Sequence, residues 1–214
     1  MAANANLHKA KDAKNDEFYT QLTDVSKELK HYKQHFKDKI VFCNCDDPTW
    51  SAFWEYFHLN YSALGLKKLI STHYDKIDPT YKMEYEGGDD NDIEVGVKTP
   101  LEGNGDFRNQ ECLDLLDECD IVVTNPPFSL YREYLTTLIE HKSKFLIIGR
   151  MDSCNYKEVF PLLRDDIIWY GYNAVKEFLQ PDGTIKKFGN ICWFTNLDIA
   201  KKSEKLILWK NYKS

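Results

Sequence analysis

The sequence predicts an α/β fold: a mostly parallel sheet of about seven strands with helices on both faces. Three observations lead there. Short apolar runs, rich in β-branched residues, recur at 40–43, 66–72, 121–123, 145–148, 167–170 and 191–195. Segments with apolar residues at helical spacing lie between them, as at 22–36 and 130–140. Strand, turn and helix follow one another at 40–57, the first half of a βαβ unit.

A chain of 214 residues can bury one full-sized core, so one principal domain is expected. Charged residues make up 29% and hydrophobic residues 43%, the balance of a soluble globular protein. No apolar run is long enough to span a bilayer, and residues 1–14 lack a signal-peptide core, so no membrane partner is expected and the protein is placed in the cytoplasm. The six cysteines are scattered, several in apolar runs, which points to reduced thiols. Cys43 and Cys45 have no second pair at zinc spacing, so no metal site is expected. The net charge of −6 weighs mildly against nucleic-acid binding, though a local basic patch can sit within an acidic total. The acidic run 84–92 reads as a solvated loop.

Residues 1–14 are polar, lack periodicity and read as a flexible N-terminal tail, with the domain running over 15–214. Phe18 and Tyr19 stand among polar residues, either anchoring the following helix or walling a small-molecule pocket. Leu22, Val25, Leu29, Tyr32 and Phe36 give 22–36 an apolar helical face. The strand at 40–43 ends in Asn44-Cys45-Asp46-Asp47-Pro48, and Pro48 opens an aromatic-rich helix. Asp46 or Asp47 could hold an amine or hydroxyls at this turn, or simply cap the helix. There is no G-x-G-x-x-G, so an ordinary dinucleotide fingerprint is absent. Asp75, shortly after the strand at 66–72, reads equally as a ribose contact or a surface residue. The segments 81–85 and 93–97 flank Gly87-Gly88 and read as a hairpin. In Gly103-Asn-Gly-Asp-Phe-Arg-Asn109, Asp106 and Phe107 offer an acceptor beside an aromatic face, which suits an adenine ring; on residue types alone an ordinary loop explains them better.

The stretch Asp120-Ile-Val-Val-Thr-Asn-Pro-Pro-Phe128 carries the chemistry. Its strand must stop at Asn125, because Pro126 and Pro127 cannot donate ladder hydrogen bonds. An amide, a rigid pair of carbonyls and the Phe128 ring at a strand's end suit a planar amine.

Several stretches, in one consistent order, resemble the EcoRI-like family of adenine-specific DNA methyltransferases. They are Asn15-Asp-Glu-Phe-Tyr-Thr20, the 44–48 turn with Phe53-Trp54, Gly105-Asp-Phe-Arg108, Thr124-Asn-Pro-Pro-Phe128 with Tyr131-Arg-Glu-Tyr134, the 145–149 strand, Tyr156-Lys-Glu158 and Gly189-Asn-Ile-Cys-Trp-Phe-Thr195. The resemblance implies a Rossmann-like fold dependent on S-adenosylmethionine and methyl transfer to the N6 amine of adenine in DNA, in a restriction–modification system or as a solitary phage or mobile-element modifier. It implies catalytic roles for Asn125, Pro126, Pro127 and Phe128, with Phe128 stacking on the flipped base and Trp193 or Phe194 on its other face. It implies cofactor contacts from Phe18, Tyr19, Thr20, Asn44, Asp46 or Asp47, Asp106, Phe107 and Asn125.

Two departures stand out. The 44–48 turn is not glycine-rich, and only residues 196–214 follow Thr195, so the target-recognition region is expected to be short or missing, with a partner supplying it. The same core acting on RNA or a protein glutamine, and a cofactor-binding module without activity, are the alternative readings. If Asp106 contacts the cofactor, Asp106→Ala weakens cofactor binding in a calorimetric titration; unchanged affinity removes it from the site.

Overall fold

In the β-branched run that precedes Asn125, Ile121 and Val123 turn to one face of the sheet and Val122 to the other. That alternation divides the core. The computed structural model describes residues 18–75, 79–89, 91–180 and 183–199. Its strands are β1 (Tyr19–Thr20), β2 (Ile40–Cys43), β3 (Lys68–His73), β4 (Tyr81–Tyr85), β5 (Val97–Pro100), β6 (Ile121–Thr124), β7 (Lys144–Arg150), β8 (Trp169–Leu179) and β9 (Ile185–Thr195). They form one sheet in the order β1-β8-β9-β7-β6-β2-β3-β4-β5.

Helices cover both faces, as expected. On one, α1 (Leu22–Leu29), α2 (Ala52–Leu59) and α3 (Tyr61–Leu64) pack on Val41, Ile121, Val123 and Ile148. On the other, α4 (Gln110–Glu118) and α5 (Tyr131–Glu140) bury Leu116, Tyr134 and Leu138 against Val122, Phe145 and Ile147. A short α6 (Phe160–Arg164) follows β7.

The expectation of about seven mostly parallel strands needs correction. Nine strands are present among the described residues, and only the pairs β2/β3, β2/β6 and β6/β7 are parallel. The pairs β1/β8, β3/β4, β4/β5, β7/β9 and β8/β9 are antiparallel. The cause is connection chemistry. Parallel neighbours need a long crossover, and α2 with α3, and α5, supply one for β2 to β3 and β6 to β7. Where no helix lies between consecutive strands, as in β3/β4, β4/β5 and β8/β9, the chain folds back and pairs antiparallel.

Boundaries shift for local reasons. The helix expected over 22–36 stops at Leu29 and tightens through His31 N–H to the Glu28 carbonyl and Tyr32 N–H to the Leu29 carbonyl into a 3₁₀ turn at Lys33–His35. Its apolar face survives, with Val25, Leu29, Tyr32 and Phe36 fully buried. Pro48 does not open α2; Ser51 caps it, accepting from the Phe53 and Trp54 amides. The hairpin's second strand lies at Val97–Pro100 rather than 93–97. Residues 1–17 and 200–214, which include the expected N-terminal tail and the region after Ile199, lie outside the described residues.

One glycine fixes how the 103–109 loop docks. Gly105 has a φ of 72°, and a Cβ there would lie 2.3 Å from the His73 carbonyl at the end of β3. The loop therefore sits against the carboxyl edge of the sheet. Gly105→Ala should destabilise the fold by about 1–3 kcal/mol in urea unfolding, from backbone strain and the clash; an unchanged midpoint would show that the loop is not docked this way.

Candidate active site

Between β2 and β6, which run parallel, the winding of the sheet reverses. β2 leads through α2 and α3 to β3 on one side, and β6 leads through α5 to β7 on the other. Ligands of open α/β sheets bind at such a switch point, outside the carboxyl ends of the strands. Here those ends carry the turn after Cys43 and the Asn125-Pro-Pro-Phe128 segment, side by side as the sequence predicts.

Asp46 joins them. Its carboxylate accepts from the Ser51 hydroxyl at 3.1 Å and from the Asn125 backbone N–H at 3.3 Å, and the Thr124 hydroxyl contacts both it and the Asn44 carbonyl. The Ser71 hydroxyl, at 3.2 Å from the Cys43 carbonyl, also contacts the Asp46 carbonyl and holds the turn to β3. The side chain is buried, which pushes its pKa up to about 7 despite these donors, with the Asp47 charge adding to the rise. Cys45 adopts a left-handed φ of 75° where a looser turn would use glycine.

Asn125 is held at two points. Its backbone N–H donates to Asp46, and its side-chain Nδ2 donates to the Phe18 carbonyl at 2.5 Å. The remaining acceptor, Oδ1, is buried and has no hydrogen-bond partner. It borders a cleft lined by Phe18, Tyr19, Thr20, Asp46, Asn125 and Phe128, with Pro126 and Pro127 completing the wall. The Thr20 hydroxyl is likewise buried and unpartnered. A buried polar atom without a partner costs about 1–3 kcal/mol, so two on one cleft mark a place built for a polar ligand. The capped N-terminus of α2 (Ser51, Ala52, Phe53) lines the same cleft, and Trp50, half exposed, lies 4.1 Å from the Tyr19 ring.

Phe128 sits in an aromatic cage. The Phe18 ring stacks on it at 5.8 Å and 24°, and Phe178 and Phe188 meet it edge-on at 6.0 and 6.1 Å. Sequence reasoning named Phe18 and missed Phe178 and Phe188. Their signal was weak: Phe188 follows two lysines, and Phe178 reaches the cage only because β8 pairs with β1, Thr20 opposite Phe178.

Other expected residues lie elsewhere. Trp193 is fully buried and packs edge-on against Phe53 at 5.8 Å, while Phe194 faces the opposite side against Tyr131 and Tyr170. Neither contacts Phe128; β9 places successive residues on opposite faces, and both face packed helices or strands. Asp47 turns from the cleft, accepting from the Thr49 N–H at 2.9 Å and lying 2.6 Å from His73 Nδ1. The Asn44 side chain is buried and does not line the cleft. Asp106 is paired through two nitrogens with Arg108, at 2.7 and 2.6 Å, and the buried Phe107 ring packs on Tyr134 at 4.9 Å. All six cysteines are free.

The buried Asp46 makes stability depend on pH. Its folded pKa of about 7 lies above the unfolded value of about 3.9, so between these the folded state binds more protons. This group's contribution falls as pH rises from about 4 through about 7 and is flat above. The carboxylates held low by their partners, Glu84, Asp120 and Asp152, have the opposite sign and act only as pH falls through their own lowered values. The stability difference between the wild type and Asp46→Asn, followed by urea unfolding from pH 5 to 8, should shift toward the variant as pH rises; a constant difference means that Asp46 is ionised throughout.

Comparisons with known proteins fit this geometry. The model of the family described as "Adenine-specific methyltransferase EcoRI" matches residues 6–214. The Type II methyltransferase M.EcoRI of Escherichia coli is 43% identical over 244 aligned positions, covering 99% of this chain and 74% of its own length. The Type II methyltransferases M.MpnI of Mycoplasma pneumoniae and M.MgeORF184P of Mycoplasma genitalium are 36% and 34% identical, each over 89% of this chain and 64% of the relative. The chain thus spans about three quarters of the first and under two thirds of the other two. No solved structure gives a significant match. With its strand-end Asn-Pro-Pro-Phe segment at the sheet's switch point and a match across nearly its whole length, the chain belongs to the EcoRI family of adenine-specific methyltransferases.

Proposed function

We propose that residues 15–214 form a Rossmann-like catalytic domain that methylates the N6 amine of an adenine in DNA. The carrying observation is the buried, unpartnered Oδ1 of Asn125 at the switch point. The cleft residues fit S-adenosylmethionine: the orphaned Thr20 hydroxyl, a capped helix N-terminus and aromatic walls stand ready for a polar, partly apolar ligand with a carboxylate, and Asn125 Oδ1 is left for the substrate. Phe18 to Thr20, Asp46 and Asn125 would hold it, with Asp46 serving chiefly as the brace between the two strand ends. When bound, the cofactor supplies an electrophilic methyl group.

The protein's own residues do the positioning. Nδ2 of Asn125 is committed to Phe18, so the amide is fixed with Oδ1 toward the ligand. Oδ1 and the Pro126 carbonyl accept from the adenine amine and draw its nitrogen lone pair out of ring conjugation. Held this way, the amine would be aligned for in-line displacement at the methyl carbon, the N–C bond forming as the S–C bond breaks to leave a neutral thioether, and its extra proton would pass to solvent. No strongly basic side chain is needed, since correct placement alone can contribute about 7–11 kcal/mol. The target base leaves the duplex at a cost of a few kcal/mol. Stacking on Phe128 offsets about 1–3 kcal/mol of that. A base between Phe18 and Phe128 needs two contacts of about 3.5–4.0 Å, more than the 5.8 Å between the rings. The base therefore stacks on Phe128 without being sandwiched by the Phe18 ring as it stands.

This reading places the protein in the cytoplasm of a bacterial or phage-infected cell, acting in restriction–modification or alone. Methyl transfer to duplex DNA, RNA and glutamine peptides, measured beside cofactor binding by calorimetry, tests it. Transfer to RNA or peptide alone overturns the substrate; cofactor binding without transfer leaves a binding module. Asn125→Ala should reduce transfer to DNA by at least about 10²–10³-fold while cofactor affinity stays within a few-fold. Normal transfer by that variant would sink the mechanism.

A further inference from the structure

The β8–β9 hairpin outruns the sheet. β7 ends with Arg150 opposite Ile191, yet β9 begins at Ile185, where it faces Leu179 of β8. Residues 185–190 therefore project past the carboxyl edge of β7, about 20 Å of strand. The same edge carries Asn125 and Phe128. The arm rises beside the cleft, and β1 pairs along its β8 side.

Strand geometry assigns its faces. Residues paired directly across strands share a face, as do residues two apart along one. Thr20, Phe178 and Lys186 stand opposite one another across β1, β8 and β9, and Phe188 is two residues from Lys186. Thr20 lines the cleft, and Phe178 and Phe188 pack around Phe128. Lys186 thus occupies the next outward position on the cleft side. On the other face Lys187 pairs with Glu177 at 2.9 Å, so its charge is matched. Lys186 is exposed, and no carboxylate among the described residues pairs with it. A chain with a net charge of −6 repels a polyanion at long range and needs local cations at the point of contact.

We propose that the β8–β9 arm grips the backbone of duplex DNA beside the target nucleotide, with the Lys186 ammonium on a phosphate. The inference rests on the DNA reading above and adds a contact to it. A two-stranded ribbon is narrow enough to enter a groove or lie along a backbone, and one phosphate contact carries a salt signature of about 0.9 in the slope of log K against log salt.

The test uses the full chain and a plasmid-derived duplex. Lys186→Ala should raise KM for DNA about 5–10-fold and lower the salt slope by about one, with kcat within about two-fold and cofactor affinity unchanged. Lys186→Arg should restore both, and Lys187→Ala on the opposite face should leave the slope intact. An unchanged slope and KM in Lys186→Ala, or a fall in kcat alone, overturns the arm contact while leaving the methyltransferase reading standing. A slope change seen only with RNA also overturns it. A wild-type chain that neither binds nor methylates duplex DNA overturns the underlying reading as well.

Discussion

The buried carboxylate of Asp46 is the constraint on which the site depends. It reaches the end of its own strand's turn, the N-cap of α2 and the first backbone N–H after β6. The turn after β2 and the start of α2 are thereby fixed to the end of β6, 79 residues away in sequence, at a single side chain. Burying a charge is expensive, and the three donors around it repay part of that cost. The arrangement is stiff where the chemistry needs stiffness. Asn125 inherits its backbone position from Asp46 and its amide orientation from Phe18.

Local features of the sequence carried much of this. The strand at 40–43 is as expected, and the run at 121–123 extends by Thr124, because both strands are buried on both faces and show as continuous apolar runs. The prolines after Asn125 stop β6 where their chemistry says they must. Helix α5 begins and ends within a residue of expectation. The pairing of β2 with β6, which brings the two strand-end turns together, is a property of the folded sheet.

What remained hidden depends on contacts between distant residues. The outer half of β9 is mostly exposed, and in that of β8 the buried Val175 and Phe178 alternate with polar or exposed residues, so no continuous apolar run announces them. Phe178 and Phe188 enter the cage through pairing with β1, some 160 residues away along the chain. The family resemblance implied a base-stacking role for Trp193 and a cofactor contact for Asp106; here Trp193 lies fully buried against Phe53, and Asp106 is paired with Arg108 two residues on. These neighbours are set by tertiary placement, which residue type does not announce.

Cys45 carries a consequence of its own. Its left-handed backbone turns the chain at the rim of the cleft, while its side chain packs with Phe107 and Tyr134 in the core layer on the other face of the sheet. Burial, followed by the neighbouring Asp46 charge, holds its pKa well above the ordinary value, so the sulfur behaves as a small packed hydrophobe. One residue thus serves two layers, its backbone shaping the cleft and its sulfur filling the space behind it.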